Sequence, residues 1–238
     1  MSTEPISASR QPVAAEVRAV GGFSVVVAAW EEVAHLDTAQ AAIHPLGADA
    51  SAYEASGIVT AERLLEAFGS LPDGALIDFG AGDGRVAIPL ARATPRAVFA
   101  VDSSPTMLGH LAERKGAIPN LFPMLADGTV WLPLRAAGIY AIAVLIHHRS
   151  WDAARLILNL AESLVPGGRM VLDLPLYEVA REPVDWTDVG VWTLTMLQDV
   201  AIAAELRIDS AEVVPGAFSW EVEHHHEWVV LTKPCACP

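Results

Sequence analysis

The chain has 238 residues, 53% of them hydrophobic and 18% charged, and 15 Lys and Arg against 29 Asp and Glu give a formal net charge of −14. That length suits one domain, or one domain with an appendage, around a large core, and the composition excludes a disordered chain. Few cations are present to displace counterions, so the charge argues against a nucleic-acid partner and for a small or neutral substrate. The two cysteines, Cys235 and Cys237, both fall in the last four residues. The body of the protein therefore carries no disulfide framework, which fits a cytoplasmic location. The opening residues predict no signal peptide. Apolar runs such as AAGIYAIAVLI reach 11 residues, too short to span a bilayer, so no membrane partner is expected.

In chain order, residues 1–18 are polar and rich in Pro and Ala, and residues 19–50 predict one or two helices before His44, Pro45 and Gly47 break the pattern. From Ser51, Ile58, Leu64, Leu65 and Phe68 share one helical face, and Gly69 and Pro72 end it. Strands and helices then alternate. ALIDF (75–79), AVFAVD (97–102), LFPMLAD (121–127), the apolar run within 137–148 and RMVLDLP (169–175) read as strands. Residues 83–93, 104–116 and 151–165 read as helices between them. After Pro175 the pattern changes to a helix in VWTLTMLQDVAIAAEL and strands in RIDSAEVV and WEVEHHHEWVVLTK. Near-continuous apolar strands alternating with amphipathic helices predict an α/β fold: a doubly wound, mostly parallel sheet with helices on both faces. Pairing of the last two strands would give it an antiparallel C-terminal edge strand.

The stretch LIDFGAGDGR stops a strand on Asp78 and then places Gly80, Gly82 and Gly84 at every second position. Glycine costs backbone entropy, so three together predict a tight turn and a close backbone approach to a ligand. In a doubly wound sheet that ligand sits at the carboxyl ends of the strands, where strand order reverses. A dinucleotide site wants G-x-G-x-x-G, and Asp78 would repel a pyrophosphate; it suits a cationic ligand carrying an ammonium and a sulfonium. Asp102 ends the second strand and can accept both hydroxyls of a ribose. Asp127 and Gly128 end the third, where an acceptor could take an adenine amino group.

D-x-G-x-G-x-G at 78–84, VDSSPTML at 101–108, ADG at 126–128 and LVPGGRMVLD at 164–173, in that order, resemble the motifs of class I S-adenosylmethionine-dependent methyltransferases. The resemblance spans about residues 53–175. It implies S-adenosyl-L-methionine as cofactor, with S-adenosyl-L-homocysteine as product. It places Gly80, Ala81 and Gly82 at the methionine moiety, Asp78 at its ammonium and Asp102 on the ribose. Ser103 and Met107 would flank the adenine, Asp127 and Gly128 would fix its edge, Ile146 or His147 would lie near the methyl group, and Tyr53 would sit over the cofactor. One departure is the segment Gly138-Ile139-Tyr140-Ala141, where many relatives carry Phe-Asp.

His147 and His148 end the fourth strand on the same rim and are the candidate catalytic bases. Adjacent strand residues point to opposite faces, so at most one would face the methyl group. The run His224, His225, His226 does not complete a ligand set, and no metal site is expected. The sequence thus divides into an N-terminal arm and helical lid over residues 1–52 and a core over 53–238, with a rim insertion at about 176–200 that bears on substrate choice. Trp30, Tyr177, Trp186 and Trp192 are candidates to line an apolar pocket. The expected activity is methyl transfer to a small-molecule acceptor. A cyclisation on the same scaffold, or a non-catalytic cofactor-binding subunit, is the alternative, and a homodimer stays open.

Overall fold

The computed structural model describes residues 23–36, 39–40, 44, 47–129, 132–213 and 226–235. Helix α1 spans Phe23–Ala34 and α2 spans Ala50–Phe68. Asp49 caps α2 by accepting the backbone N–H groups of Ser51 and Ala52 at 2.9 and 3.0 Å, satisfying donors that a helix start leaves open. The alternation then follows: β1 (Ala75–Phe79), α3 (Ala87–Ala93), β2 (Val98–Asp102), α4 (Pro105–Lys115), β3 (Leu121–Leu125) and β4 (Ala136–Ala141). A short 3₁₀ turn, Leu145–His147, leads into α5 (Ser150–Ser163) and β5 (Leu164–Pro175), followed by α6 (Leu194–Ala203), β6 (Arg207–Val213) and β7 (His226–Thr232).

The seven strands form one sheet in the order β3-β2-β1-β4-β5-β7-β6. The first five are parallel; β7 runs antiparallel to both β5 and β6. The sheet is therefore doubly wound and mostly parallel, with an antiparallel C-terminal strand, and β6 lies outside that strand as the edge. Strand order reverses between β1 and β4, which opens a crevice at their carboxyl ends.

Strand alternation sorts the core into two layers. Ile77, Phe79, Ile139, Ala141, Met170 and Leu172 face α5 and α6. Leu76, Val98, Ala100, Tyr140 and Val171 face α2, α3 and α4. Asp78, between Ile77 and Phe79, therefore points into the second layer. The helix expected from residue 83 begins at Ala87, because Gly82 and Gly84 hold φ of 53° and 86°, outside helical space. The apolar run 137–148 is a strand only to Ala141; Ala143 then takes a left-handed φ of 57°.

The segment after β5 is tied down rather than loose. Trp192 N–H donates to Pro175 O at 2.9 Å, and Arg181 pairs with Asp188 at 2.6 Å. Among the described residues no helix is long and apolar enough to cross a membrane.

Candidate active site

A cavity opens at the carboxyl ends of β1 and β4, where strand order reverses. Its walls come from the glycine loop after β1, the end of β2, the turn after β4, and α1, which contributes Val26, Val27 and Trp30. Two loops interlock at its floor. Gly80 has φ 77°, and a Cβ there would lie 2.2 Å from Val144 Cγ2. The missing side chain thus makes room for Val144, which the Ala143 turn swings against the loop. The Ala143 N–H donates to the buried Asp173 carboxylate at 3.2 Å, which helps hold that turn.

Asp78 lines the cavity and is 4% exposed. Its register partner on β4 is Tyr140. Burial pushes the Asp78 carboxyl up to about 7; the Tyr140 hydroxyl opposes the rise, the Asp102 charge adds to it and Arg85 opposes it. The Tyr140 hydroxyl meets no partner at strict hydrogen-bond geometry among the described residues, yet it stands close enough to favour the carboxylate form. Such a carboxyl is held short of full ionisation and favours a cation brought to it.

Asp102 also lines the cavity. It accepts Gly82 N–H at 2.7 Å and Ser104 N–H at 2.8 Å, one on each oxygen. Burial raises its pKa, and the backbone donors at Ser104, Gly82 and Ser103 oppose the rise. A carboxylate has about four lone-pair sites, so both oxygens can accept further hydrogen bonds. Ser103, Met107, Ala81, Gly82 and Asp127 line the same cavity. Asp127 uses one oxygen on Thr129, through its N–H at 2.9 Å and its hydroxyl at 2.7 Å.

Helix α1 is fastened to the β2–α4 turn by Glu31. Its carboxylate accepts Ser104 Oγ at 2.5 Å and Thr106 Oγ1 at 2.6 Å. Burial works against the Glu31 charge, but these hydrogen bonds outweigh it and hold its pKa below the ordinary value. The position also places an acid at the N-terminus of α4, where the helix dipole favours it.

Of the predicted site residues, four fall outside the cavity wall. Tyr53 is fully buried, and its hydroxyl donates to Asp83 Oδ1 at 2.8 Å. Gly128 packs on Phe79 and Leu156, and a Cβ there would come within 2.6 Å of the Phe79 ring. Ile146 is fully buried, and its carbonyl accepts Gly190 N–H at 2.7 Å. His147 lies in the 3₁₀ turn, edge-on to Trp30 at 5.3 Å between ring centroids, with Nδ1 3.2 Å from Asp188 O. His148 is the histidine that lines the cavity. Burial, and secondarily His147, push its pKa down to about 4, so its imidazole is neutral at physiological pH.

Among the four aromatic candidates, Trp30 reaches the cavity, Trp186 packs edge-on against Trp30 at 5.5 Å, Trp192 is core, and Tyr177 is half exposed. His224, His225 and Cys237 lie outside the described residues, and only the backbone of His226 is described. Among the described residues no three His, Cys, Asp or Glu side chains gather into a metal-holding group.

Sequence reasoning missed the charges beneath the loop. Asp83, 3% exposed, accepts Tyr53, Gln40 Nε2 at 2.9 Å and the Arg114 guanidinium at 2.6 Å. Arg85, 6% exposed, lines the cavity beside Asp78. The signal was present in D-G-R at 83–85: two charges next to a glycine in a segment that packs on both sides.

Residues 76–168 match a family described as a methyltransferase domain. No curated protein matches the chain in sequence. Among solved structures, magnesium protoporphyrin IX methyltransferase (ChlM) from Synechocystis PCC 6803 with bound SAM is similar at 18% identity, with TM-score 0.58 over 76% of this chain and 79% of that one. The [4+2]-cyclase SpnF is similar at 15% identity, with TM-score 0.63 over 75% and 82%. The glycopeptide N-methyltransferase MtfA is similar at 15% identity, with TM-score 0.59 over 75% and 90%. At these identities the likeness is one of fold, and the matched segment is the one that builds the glycine loop, Asp102 and Asp127. Residues 76–168 thus match a methyltransferase domain model, and the chain shares the Rossmann-like fold of these solved structures.

Proposed function

We propose that the chain transfers a methyl group from S-adenosylmethionine to a small, largely apolar acceptor. The observation that carries this reading is the division of the cavity. One end holds Asp78, Asp102 and the glycine-loop amides; the other is Val26, Val27, Trp30, Ile142 and Val144, with His148 as its one titratable side chain among the described residues. The first end fits the cofactor's chemistry. Asp78 is a buried carboxyl lacking full ionisation, suited to an ammonium; Asp102 is already oriented by two amides, suited to a vicinal diol. Ala81 and Gly82 border the amino-acid end, Ser103 and Met107 border the base, and Asp127 offers its second oxygen to an exocyclic amine. The bound cofactor supplies an electrophilic methyl group on sulfur.

The chain's own task is to align the acceptor and exclude water. Trp30, Val26 and Val27 form the dry wall, and His147 and Trp186 fix the Trp30 ring edge-on. His148, neutral and at the cavity wall, accepts a hydrogen bond from the nucleophilic atom and so orients its lone pair toward the methyl group. Its lowered pKa makes it a weak proton acceptor, so its part is orientation more than early deprotonation. Among the described residues the apolar end has no charged side chain to pair with a charged acceptor.

Calorimetric titration with S-adenosylmethionine and S-adenosylhomocysteine tests the reading. Wild type is expected to bind both, and Asp102→Ala to weaken both by about a hundredfold, as for loss of two hydrogen bonds to a charged group. No binding to folded wild-type protein sinks it. A second reading has one observation in its favour: among the described residues the one titratable side chain at the apolar end, His148, is held down at about 4, which suits a reaction that needs no base, such as a cyclisation. Label transfer from methyl-labelled cofactor to uncharged aromatic or aliphatic acceptors separates the two.

A further inference from the structure

We propose that Asp173 is a positioning residue for the transferred methyl group: its carboxylate holds the left-handed turn at Ala143 and, through that turn, the wall against which the methyl group lies. The inference rests on the methyl-transfer reading above and deepens it. A group that passes from cofactor to acceptor must sit where the two ends of the cavity meet. Val144 belongs to the apolar end and packs on Gly80 of the cofactor end, so the ends meet there. Ile142 and Ala143 continue that wall.

The topology puts an acid behind it. Pairing of β4 with β5 runs as far as Ala141 and Leu172, and Asp173 is the next residue on β5. The chain leaves the sheet after Ala141, so the Ala143 N–H has no place in the strand ladder and needs another acceptor. The fully buried Asp173 supplies one: its Oδ2 takes that N–H at 3.2 Å. Ala143 depends on such a tie, because its φ of 57° lies in a region that a residue with a Cβ enters only against steric resistance. The turn in turn sets Val144, whose Cγ2 occupies the space that a Cβ on Gly80 would need. Turn, wall and glycine loop thus form one interlocked joint. Asp173 is not one of the residues lining the cavity, so it acts through Ala143 and Val144 and not on the ligand.

Two other roles compete with this one. In the first, Asp173 only completes the packing of the sheet beside its buried register partner on β7, Trp228. In the second, it is a counter-charge to the sulfonium. Only the anchoring role ties recognition of the methyl group to a single hydrogen bond and to the conformation of one alanine.

The test compares S-adenosylmethionine with S-adenosylhomocysteine, which lacks only the methyl group and the positive charge that comes with it. Calorimetry is run on wild type, Asp173→Leu, Asp173→Asn and the double variant Asp173→Leu with Ala143→Gly. Leucine cannot accept the Ala143 N–H, whereas an asparagine amide oxygen can. Asp173→Leu is expected to weaken S-adenosylmethionine by about tenfold, the order of one buried hydrogen bond, with S-adenosylhomocysteine changed by no more than about threefold. Asp173→Asn, which keeps the acceptor, should hold the wild-type ratio of the two affinities to within about twofold. Glycine takes a left-handed φ without a tie, so the double variant should recover most of the ratio lost in Asp173→Leu. Equal losses for both ligands in Asp173→Leu, or an unchanged ratio, leave only the packing role and overturn the proposal. So does a loss in Asp173→Asn as large as in Asp173→Leu, which marks a counter-charge, or a double variant that recovers nothing. Should Asp173→Leu fail to fold, as judged by circular dichroism, Asp173→Ser, whose hydroxyl stops short of the amide, replaces it in both backgrounds with the same expectations. Wild type that binds neither ligand overturns the cofactor reading itself and this inference with it, an outcome distinct from tight binding with an unchanged ratio.

Discussion

The two faces of the sheet are built on different principles. The layer between the sheet and α5–α6 is apolar: Ile77, Ile139, Leu156, Leu160, Met170, Leu172 and Leu197 pack without an ionisable group among them. The layer toward α2, α3 and α4 shares its volume with Asp78, Tyr140, Asp83, Arg85 and Tyr53, all nearly or fully buried. Buried charges cost several kcal/mol each unless paired, so the second layer must supply partners, as Arg114 does for Asp83, that the first does not need. That cost falls next to the glycine loop and the cavity. One layer holds the sheet together by apolar packing, and the other carries buried polar groups, with Asp83 paired to Arg114 and with Asp78 and Arg85 bordering the cavity.

The sharpest way to break the comparison is a large-to-small change in the dry layer. Leu160 is fully buried there, and Leu160→Ala should cost about 2–5 kcal/mol of stability. Its cofactor affinity, measured on the folded fraction at low temperature, should stay within about twofold of wild type. Chemical denaturation and calorimetry check both halves. An affinity loss that tracks the stability loss would show that the layers are coupled and that the division is only geometric.

The same division explains what was legible in the sequence. The dry layer announces itself by periodicity: ALIDF, AVFAVD and the helix at 151–165 sit where alternation and amphipathic spacing put them. The acids at strand ends were legible too, since Asp78, Asp102 and Asp127 all reach the cavity. The polar layer was not, because its partners are distant in sequence. Tyr53 is fixed by Asp83, thirty residues away, and no local pattern announces that bond. Trp30 and Glu31 sit in a helix whose docking depends on Ser104 and Thr106. Of the histidine pair only His148 lines the cavity, as expected of at most one, but the reason is not strand alternation: the chain leaves the sheet at Ala141 and a 3₁₀ turn separates the two.

The polar layer can be read through pH, with signs set by its groups. Asp78 has a folded pKa raised to about 7 from a reference of 3.8. Between those values the folded state holds a proton that the unfolded chain has released, so this group's contribution to stability declines as pH rises from about 4 to 7. His44 and His148 act oppositely. Burial holds both near 4 against a reference of 6.5, so their contribution is present above 6.5 and is lost as pH falls through 4. Asp78→Asn should therefore remove the opposing slope and leave a steeper acid loss of stability. A cationic ligand at Asp78 must displace its proton, so cofactor affinity should rise by about tenfold per pH unit below 7 and level off above it. Titrations in buffers of different ionisation enthalpy would register the released proton in wild type and none in Asp78→Asn. A pH-independent affinity with no proton release would place the ligand's cation elsewhere.

The smallest effect concerns the piece that spans the charged and apolar ends of the cavity. Helix α1 brings Trp30 to the apolar end and, one residue later, Glu31 to the cofactor end. The Glu31 carboxylate holds Ser104 and Thr106 while its charge works against that of Asp102. Glu31→Ala removes two hydrogen bonds from α1 and also relieves that repulsion, so its consequences partly cancel. Because Glu31 is partly exposed, solvent screens what remains. The equilibrium affinity for the cofactor should change by no more than about threefold. The rates are more telling. If α1 is a lid, loosening its latch should speed both entry and release by about three- to tenfold while their ratio hardly moves. Trp30 fluorescence followed by stopped flow reports both steps. Unchanged rates in Glu31→Ala would mean that α1 is a fixed wall and that the cofactor passes by another route, along the β3 side of the cavity where Ala126 and Asp127 line it.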